Sequence, residues 1–260
     1  MFVLHCGLPS RDTVATHYHA GMISTPTTAI NNAGRDERPV PRPGSNKSLL
    51  KLLLIVFVAV VLALVFAKLG SEVGEGDTRF FDMQVLQSAQ ALRADHPWLA
   101  EIMRDLSGMG STVVLTLFTL ATVGYLALFS KKISALLVAV SVISGTALVS
   151  VFKAAFGRLR PDATYSEMTV SGLSFPSGHA SMSAIVFLTL GIVIASKRNR
   201  LTERVYIVLM AVLMAALVGL SRVALGVHYA TDVFGGWAFG LAWAMVWLII
   251  ARLLARRTQD

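Results

Sequence analysis

The sequence is poor in charged residues and in cysteine. Charged side chains make up 15% of its 260 residues, whereas an ordinary soluble domain has about 25%. Apolar residues reach 55% and the mean hydropathy is +0.65, so lipid is the expected solvent. Cys6 is the single cysteine, which excludes an intramolecular disulfide and a zinc site built from cysteines. These shortages favour a membrane protein.

Residues 1–47 contain no long apolar run. Pro, Asn, Thr, Arg and Gly are scattered through them, and no segment has the length of the apolar part of a secretory signal. We expect a disordered N-terminal tail over residues 1–47 and a transmembrane domain over residues 48–257.

The rest of the chain contains six apolar segments, each about long enough to cross a bilayer as a helix. Lys51 and Lys68 flank the first segment, where their ammonium groups can extend to the two interfaces. Buried helices of a soluble protein are the alternative, which six such segments in one chain disfavour, and no strand-like alternation indicates a β-barrel. We therefore predict an all-α polytopic membrane protein with transmembrane helices at residues 52–67, 112–129, 133–152, 180–196, 205–220 and 233–251.

The net charge of +8 is concentrated at one set of helix ends. The opposite side contains the 70–110 connection, which carries more acidic than basic residues. Because cytoplasmic loops are enriched in Lys and Arg, both termini are expected in the cytoplasm. Topology thus explains the charge, and no nucleic-acid partner is expected. The basic flanking residues are Arg42, Lys47, Lys51, Lys131, Lys132, Lys197, Arg198, Arg200, Arg204, Arg252, Arg256 and Arg257.

Two further patterns concern packing. Apolar residues recur at helical spacing within the 70–110 connection, which predicts two short amphipathic helices at the outer interface. Gly236 and Gly240 form a small-xxx-small pair in the last span, which suits close helix packing and is interpreted as structural. The apolar residues of the connection are Phe81, Val85, Ala89 and Leu92, followed by Trp98, Ile102 and Leu106.

A first polar cluster follows the third span and contains Lys153, Arg158, Arg160, Pro161 and Asp162. Lys153 and Arg160 are seven residues apart, so the sequence predicts that they project from one face of a helix that Pro161 ends. Basic residues at helix ends often contact only lipid headgroups, so this cluster alone decides nothing.

The second cluster, 176–179, reads Pro-Ser-Gly-His and precedes the fourth span. Ser177 and Gly178 are expected to form a turn at a helix N-terminus, where free backbone N–H groups bind anions, with His179 beside them. In the third cluster, Ser221 and Arg222 end the fifth span, and His228 lies four residues before Asp232. This spacing predicts one helical face, on which Asp232 accepts from one ring nitrogen and leaves the other free to attack.

All three clusters are expected on the outer membrane face. Together they offer three cations, two histidines, one carboxylate and an anion-binding turn, which is the set that phosphoryl transfer requires. No carboxylate-rich magnesium site accompanies them. We therefore expect phosphoryl-transfer chemistry without a metal or other cofactor.

These motifs resemble those of the type 2 phosphatidic acid phosphatase family, which includes bacterial undecaprenyl-diphosphate phosphatases and phosphatidylglycerophosphatases. The family motifs Lys-x6-Arg-Pro, Pro-Ser-Gly-His and Ser-Arg-x5-His-x3-Asp stand here at 153–161, 176–179 and 221–232, in that order. The likeness extends over residues 49–254, including Asp105-Leu106-Ser107 before the second span. Ala230 stands where many members have proline.

The resemblance implies a six-helix bundle and a role for each matching residue. His228 would be the nucleophile that forms a phosphohistidine, Asp232 would orient its ring, and His179 would protonate the leaving oxygen and then activate water. The phosphate would be bound by Lys153, Arg160, Ser177, Gly178 and Arg222. The implied substrate is a lipid phosphate or diphosphate of a bacterial inner membrane, with the active site on the periplasmic face.

Two alternatives remain open from the sequence. A phosphotransferase would use the same residues but move the phosphate or phospho-headgroup to a lipid or sugar acceptor. A non-catalytic transporter would share the six spans but would not need the outward cluster. The sequence does not select among phosphatidate, phosphatidylglycerophosphate and undecaprenyl diphosphate, and it leaves the oligomeric state undetermined.

Overall fold

A computed structural model describes residues 44–257 of the chain. Most of the tail predicted over residues 1–47 falls outside the described residues, so that prediction stays open. The first helix begins at Gly44, inside the predicted tail. The described residues form eight α-helices, one 3₁₀ turn and no strand: α1 Gly44–Glu75, α2 Arg79–Asp95, α3 Trp98–Gly108, α4 Thr112–Leu128, α5 Lys132–Phe156, the turn Ala163–Tyr165, α6 Gly178–Ala195, α7 Leu201–Ala224 and α8 Ala230–Arg257.

The all-α prediction with six transmembrane helices is confirmed. Within residues 44–257, six helical stretches are long and apolar enough to cross a bilayer, and they coincide with the six predicted segments. The second stretch, Trp98–Leu128, includes both α3 and α4. The 70–110 connection forms two helices, α2 and α3, as its apolar spacing predicted. Their position at the membrane interface stays a prediction.

Helix α6 lies at the centre of the bundle. In α6, 56% of the apolar stretch is buried inside the protein, whereas in α1 the buried share is 11%. Helix α1 exposes most of its large apolar side chains. The packing of α8 on α6 depends on Gly236 and Gly240. A β-carbon on Gly240 would lie 2.6 Å from the backbone oxygen of Ser181, and one on Gly236 would lie 2.9 Å from the carbonyl oxygen of Ser177. The interpretation of this glycine pair as a packing motif is confirmed.

An aromatic cluster centred on Phe66 joins α1 to the loop before α6. The ring of Phe66 packs on Phe152 at 4.9 Å and is stacked on Phe175 at 5.8 Å between centroids. Phe175 is fully buried and directly precedes Pro176, to which it is joined by a cis peptide bond. Van der Waals packing of this kind holds helices together inside a bilayer, so this cluster holds the start of the Pro-Ser-Gly-His turn against α1.

Helix α5 ends earlier than the sequence predicted. Its last residue is Phe156, and Gly157 follows with a positive φ of 61° and donates to the carbonyl of Lys153. Left-handed glycine ends a helix at little cost, because it has no β-carbon to clash. The prediction that Pro161 ends this helix, with Lys153 and Arg160 on one face, was therefore wrong. Arg160 approaches the site from the irregular segment after α5.

Candidate active site

Four helix ends meet at one end of the bundle and bring the three polar clusters together. They are the C-termini of α5 and α7 and the N-termini of α6 and α8. Because each helix N-terminus carries about half a positive charge, α6 and α8 both favour an anion here. The sequence prediction that the three clusters lie on one face of the molecule is thus supported by the bundle's connectivity.

The Pro-Ser-Gly-His turn forms the N-terminus of α6. Ser177 is fully buried and is the N-cap: its Oγ accepts from the amide of Ala180 at 3.5 Å. Its own amide donates to the backbone oxygen of Asp232 at 2.9 Å, which ties this turn to α8. Gly178 is the first residue of α6, where backbone amides have no acceptor within the helix. The geometry agrees with the predicted anion-binding turn.

His228 lies in the loop between α7 and α8 and is 1% exposed. Its Nδ1 lies 3.3 Å from Oδ2 of Asp232 and 3.2 Å from Oγ of Ser174, which itself donates to the same carboxylate oxygen. A ring that donates from Nδ1 to a carboxylate keeps its lone pair on Nε2. The predicted contact between His228 and Asp232 is present, although His228 precedes the helix and the expectation of one shared helical face was wrong.

The other ring nitrogen of His228 faces a cation. Nε2 accepts from the guanidinium of Arg160 at 3.1 Å, and the same Arg160 nitrogen donates to the carbonyl of Val227 at 2.9 Å. Burial lowers the pKa of His228 from 6.5 to about 4; Asp232 opposes this shift, while the charges of Arg160 and Lys153 add to it. His228 is therefore neutral at neutral pH, which is the form that can act as a nucleophile.

The position of Asp232 follows from helix capping. Asp232 lies in the first turn of α8, and its Oδ2 accepts the amide of Tyr229, the residue before the helix, at 2.9 Å. A carboxylate in the first turn that accepts from the residue preceding it is the reciprocal half of a capping box. Thus one carboxylate both stabilises the start of α8 and contacts His228.

The predicted phosphate-binding set contains three cations, Arg160, Lys153 and Arg222. Lys153 donates to the carbonyl of Leu173 at 2.5 Å, and its Cε would lie 3.8 Å from a β-carbon on Gly178. Arg222, which is 2% exposed, donates to Oγ of Ser107 at 2.5 Å. Its Nε is buried without a partner among the described residues. A buried charged donor left unpaired is unfavourable by 1 kcal/mol or more, so an anion is the fitting partner for Arg222.

His179 is partly exposed in the first turn of α6. Its ring packs beside the start of α4, since a β-carbon on Gly110 would lie 3.3 Å from Cδ2 of His179. It interacts electrostatically with His228 and with Arg160, Arg222 and Lys153. Arg160 and Lys153 thus act electrostatically on both histidines of the predicted site.

No role was predicted from the sequence for Arg158, Thr231 and Asp82, which contact Asp232 or its neighbours. Arg158 bridges two fully buried carboxylates, donating to Oδ1 of Asp232 at 2.7 Å and to Oδ2 of Asp82 at 2.6 Å. Thr231 donates to Asp82 from both its amide and its hydroxyl. Asp82 lies on α2, 150 residues before Asp232. The apolar spacing of α2 predicted an amphipathic helix but no contact with the site. The signal available was a carboxylate among the apolar residues of that helix.

Within residues 44–257, no three His, Cys, Asp or Glu side chains lie close enough together to hold a metal ion. The positive charge near His228 comes from lysine and arginine.

Comparisons with known proteins identify the family of the chain. A model described as the PAP2 superfamily matches residues 134–256, which include the helices that carry all three motifs. Phosphatidylglycerophosphatase B of Bacillus subtilis (strain 168) is 33% identical over 194 residues, covering 72% of this chain and 91% of that protein. The chain belongs to the PAP2 superfamily. The predicted resemblance to type 2 phosphatidic acid phosphatases is thus confirmed. Its relatives in the PAP2 superfamily indicate that the chain is a membrane phosphatase.

Other PAP2 relatives extend the comparison. Decaprenylphosphoryl-5-phosphoribose phosphatase of Mycobacterium tuberculosis (strain ATCC 25618 / H37Rv) is 29% identical over 162 residues, covering 61% of this chain and 84% of that protein. The crystal structure of the transmembrane PAP2 type phosphatidylglycerolphosphate phosphatase from Bacillus subtilis superposes with a TM-score of 0.70 at 27% identity, covering 76% of this chain and 97% of that one. Aquifex aeolicus LpxE, with a TM-score of 0.50 at 23% identity over 65% of this chain and 94% of its own, shares the fold.

Proposed function

We propose that this PAP2 protein hydrolyses a lipid phosphate through a phosphohistidine. In the first step, Nε2 of His228 attacks phosphorus while the P–O bond to the lipid breaks, and His179 gives its proton to the leaving oxygen. In the second step, His179 takes a proton from water, the resulting hydroxide attacks phosphorus, the P–N bond breaks and inorganic phosphate leaves. Atoms and charges balance over the two steps without a further reactant.

The observation that carries the proposal is the orientation of His228. Its Nδ1 contacts Asp232, and its Nε2 points toward the cations. Asp232 stabilises the positive charge that develops on the ring when Nε2 forms a bond, as the orienting carboxylate of other histidine systems does. Arg160 donates to Nε2 in the substrate-free site, so substrate phosphate must draw this guanidinium to its own oxygens before the lone pair can attack.

The cations supply the transition-state stabilisation. A transferring phosphoryl group spreads negative charge over its equatorial oxygens, and fixed positive groups in a water-poor site stabilise that charge strongly. Arg222 brings an unpartnered Nε–H, and Gly178 brings an amide at the N-terminus of α6. Lys153 and Arg160 complete the set assigned to phosphate binding.

A lipid is the substrate that fits the location. The reacting groups lie at helix ends, so a phosphate at headgroup depth can reach them while its tail remains in the bilayer. The relatives named above are described as acting on phosphatidylglycerophosphate and on a decaprenyl-linked phosphate. We propose phosphatidylglycerophosphate as the first substrate to test, with undecaprenyl diphosphate and phosphatidate next.

We further propose that this site opens to the outer face of a bacterial cytoplasmic membrane, with both termini inside. The basic residues at the other helix ends, including Lys131, Lys132 and Arg204, support this orientation. After replacement of Cys6, a cysteine at Thr164 should react with an impermeant maleimide in intact cells, and one at Asn199 should not. The opposite labelling pattern would reverse the orientation.

The substrate proposal is tested by phosphate release from the three lipids in mixed micelles, against glucose 6-phosphate and p-nitrophenyl phosphate. We expect catalytic efficiency to be highest on a lipid, and to depend on the headgroup more than on tail length. Equal efficiency on the soluble esters would refute the lipid assignment. Phosphate that appears on an added alcohol instead of in solution would indicate a phosphotransferase.

A further inference from the structure

Helix α2 reaches the active site through a chain of buried charges. Asp82, on the first turn of α2, is fully buried. Its Oδ2 accepts from Arg158, whose other terminal nitrogen donates to Oδ1 of Asp232. Asp232 in turn contacts His228. Each contact in this chain is a charged hydrogen bond of 2.6–3.3 Å between named atoms.

Arg158 has one fixed orientation in this chain. Besides the two carboxylates it donates to Oγ1 of Thr231 at 2.8 Å, and its guanidinium lies 4.3 Å from the centre of the Tyr229 ring. A planar guanidinium can bind two carboxylates at once in a fixed geometry, which a lysine ammonium cannot do. Burial opposes the charge of Arg158, but Asp232 and Asp82 raise its pKa above the ordinary value. Arg158 is therefore always charged here.

Asp82 also supplies a missing helix cap. The residue before α8 is Tyr229, whose side chain is not a capping group. Asp82 instead accepts the amide of Thr231 at 3.0 Å and its hydroxyl at 2.7 Å. Amides in the first turn of a helix need such acceptors. A side chain from α2 thus fixes the start of the helix that carries Asp232.

The two oxygens of Asp232 have different partners as a result. Oδ1 binds Arg158, whereas Oδ2 is left to His228, Ser174 and the amide of Tyr229. Without Arg158, the carboxylate can rotate or accept from other donors, and the His228 ring loses its fixed acceptor. Asp82 prevents this rotation, because it binds both Arg158 and Thr231 in the first turn of α8.

From this geometry we propose that Asp82 and Arg158 are positioning residues for the reaction and act through Asp232 on the His228 ring. This inference rests on the proposed function of His228. Asp82 lies outside the three sequence motifs, and Arg158 occupies one of the variable positions of the Lys-x6-Arg-Pro motif, to which no role was assigned. Arg158 contacts Asp232 and not the His228 ring. Their effect is expected on kcat, since they set the nucleophile's orientation and not the contacts to substrate.

The test uses Asp82→Asn and Arg158→Lys in the full-length protein, with Asp95→Asn as the matched control. Asp95 is an exposed carboxylate at the other end of the same helix. We expect kcat to fall roughly 10- to 100-fold in both variants, the range observed when the hydrogen-bond partner of a metal-binding histidine is removed. KM should change less than about threefold, because neither residue is assigned to phosphate binding. Asp95→Asn should behave as the parent protein does.

A double-mutant comparison separates positioning from general stability. If Asp82 acts through Asp232, then Asp82→Asn should lower kcat by less than about twofold in an Asp232→Asn background, because coupled residues are not additive. A merely structural role predicts the same fold-loss in both backgrounds, and that result would overturn the proposal. Unchanged kcat in folded Asp82→Asn would overturn it as well.

A second readout does not depend on activity. Nitrogen-15 NMR of histidine-labelled protein reports which ring nitrogen of His228 carries the proton. We expect the Nδ1-protonated tautomer in the parent and a mixture of tautomers in Asp82→Asn; identical spectra would contradict the proposal. If Asp82→Asn does not fold, Asp82→Glu and Arg158→Lys, which retain charge, replace it in both measurements. His228→Asn is assayed in the same experiment. If His228→Asn is active, the proposed function is refuted. If His228→Asn is inactive while Asp82→Asn keeps the kcat of the parent protein, only the present inference is refuted.

Discussion

The Nδ1 atom of His228 lies 3.3 Å from Oδ2 of Asp232, in a loop where the imidazole is 1% exposed. A buried histidine held in this way presents Nε2 to whatever binds among the cations. Of the two residues, only Asp232 belongs to α8.

We predict that His228 stays neutral down to acidic pH. Burial lowers its pKa from 6.5 to about 4, so the unfolded chain binds a proton between these two values that the folded protein does not bind. Protein stability from this residue therefore decreases as pH falls from 6.5 to 4. Nitrogen-15 NMR of the substrate-free protein, with His228 assigned by comparison with His228→Asn, should give a titration midpoint near 4. A midpoint near 6.5 would contradict this description of the loop.

We predict that the effect of His179→Asn depends on the leaving group. A lipid alcohol leaves poorly without a proton, so hydrolysis of the lipid should fall roughly 10²- to 10⁴-fold, the usual range for general acid catalysis. Nitrophenolate leaves as a stable anion, so its release in the first turnover should change much less. Stopped-flow absorbance measures that burst. His96→Asn, at an exposed histidine that follows α2, is the control; equal losses on both substrates in His179→Asn would argue against an acid role.

We predict that activity persists in EDTA and is inhibited by vanadate. Lysine and arginine provide the positive charge at the site, and vanadate imitates the five-coordinate phosphorus that they would stabilise. Inhibition should weaken at least tenfold in Arg222→Gln, whose parent side chain has an unpartnered Nε. Arg79→Gln, at an exposed residue on the same end of the bundle, should not change it. Activity lost in EDTA and restored by Mg²⁺ would require a different mechanism.

We predict that two glycine-to-alanine variants differ in stability. A β-carbon on Gly240 would lie 2.6 Å from the backbone oxygen of Ser181, whereas one on Gly124 would meet nothing within 4 Å. Gly240→Ala should lower stability by about 1–3 kcal/mol through overpacking, and Gly124→Ala should leave it unchanged or raise it by up to about 1 kcal/mol. Thermal unfolding in detergent gives both values. If Gly240→Ala is as stable as the parent protein, then α6 and α8 can move apart without a loss of stability, which would contradict this prediction.

The spans and motifs could be predicted from sequence because their signals are local. An apolar stretch the length of a bilayer has few alternatives to a helix, and Gly240 is recognisable beside Gly236. Two details of the site could not be obtained in this way. The end of α5 depends on the left-handed conformation of Gly157, which competes with Pro161 as a stop signal. The capping of α8 by Asp82 joins residues far apart in the chain, and no local pattern reports such a contact.

The central claim is that His228 is phosphorylated during turnover, and trapping that intermediate tests it most directly. His179→Asn should slow the second step, so its phosphoenzyme should accumulate when it is mixed with p-nitrophenyl phosphate and quenched in alkali, where phosphohistidine survives. Mass spectrometry of the digested protein should place one phosphate on His228, and His228→Asn should carry none and lose activity by several orders of magnitude, as happens when a covalent nucleophile is removed. Phosphate found on another residue, or nitrophenolate released from His179→Asn without any phosphoenzyme, would contradict the account.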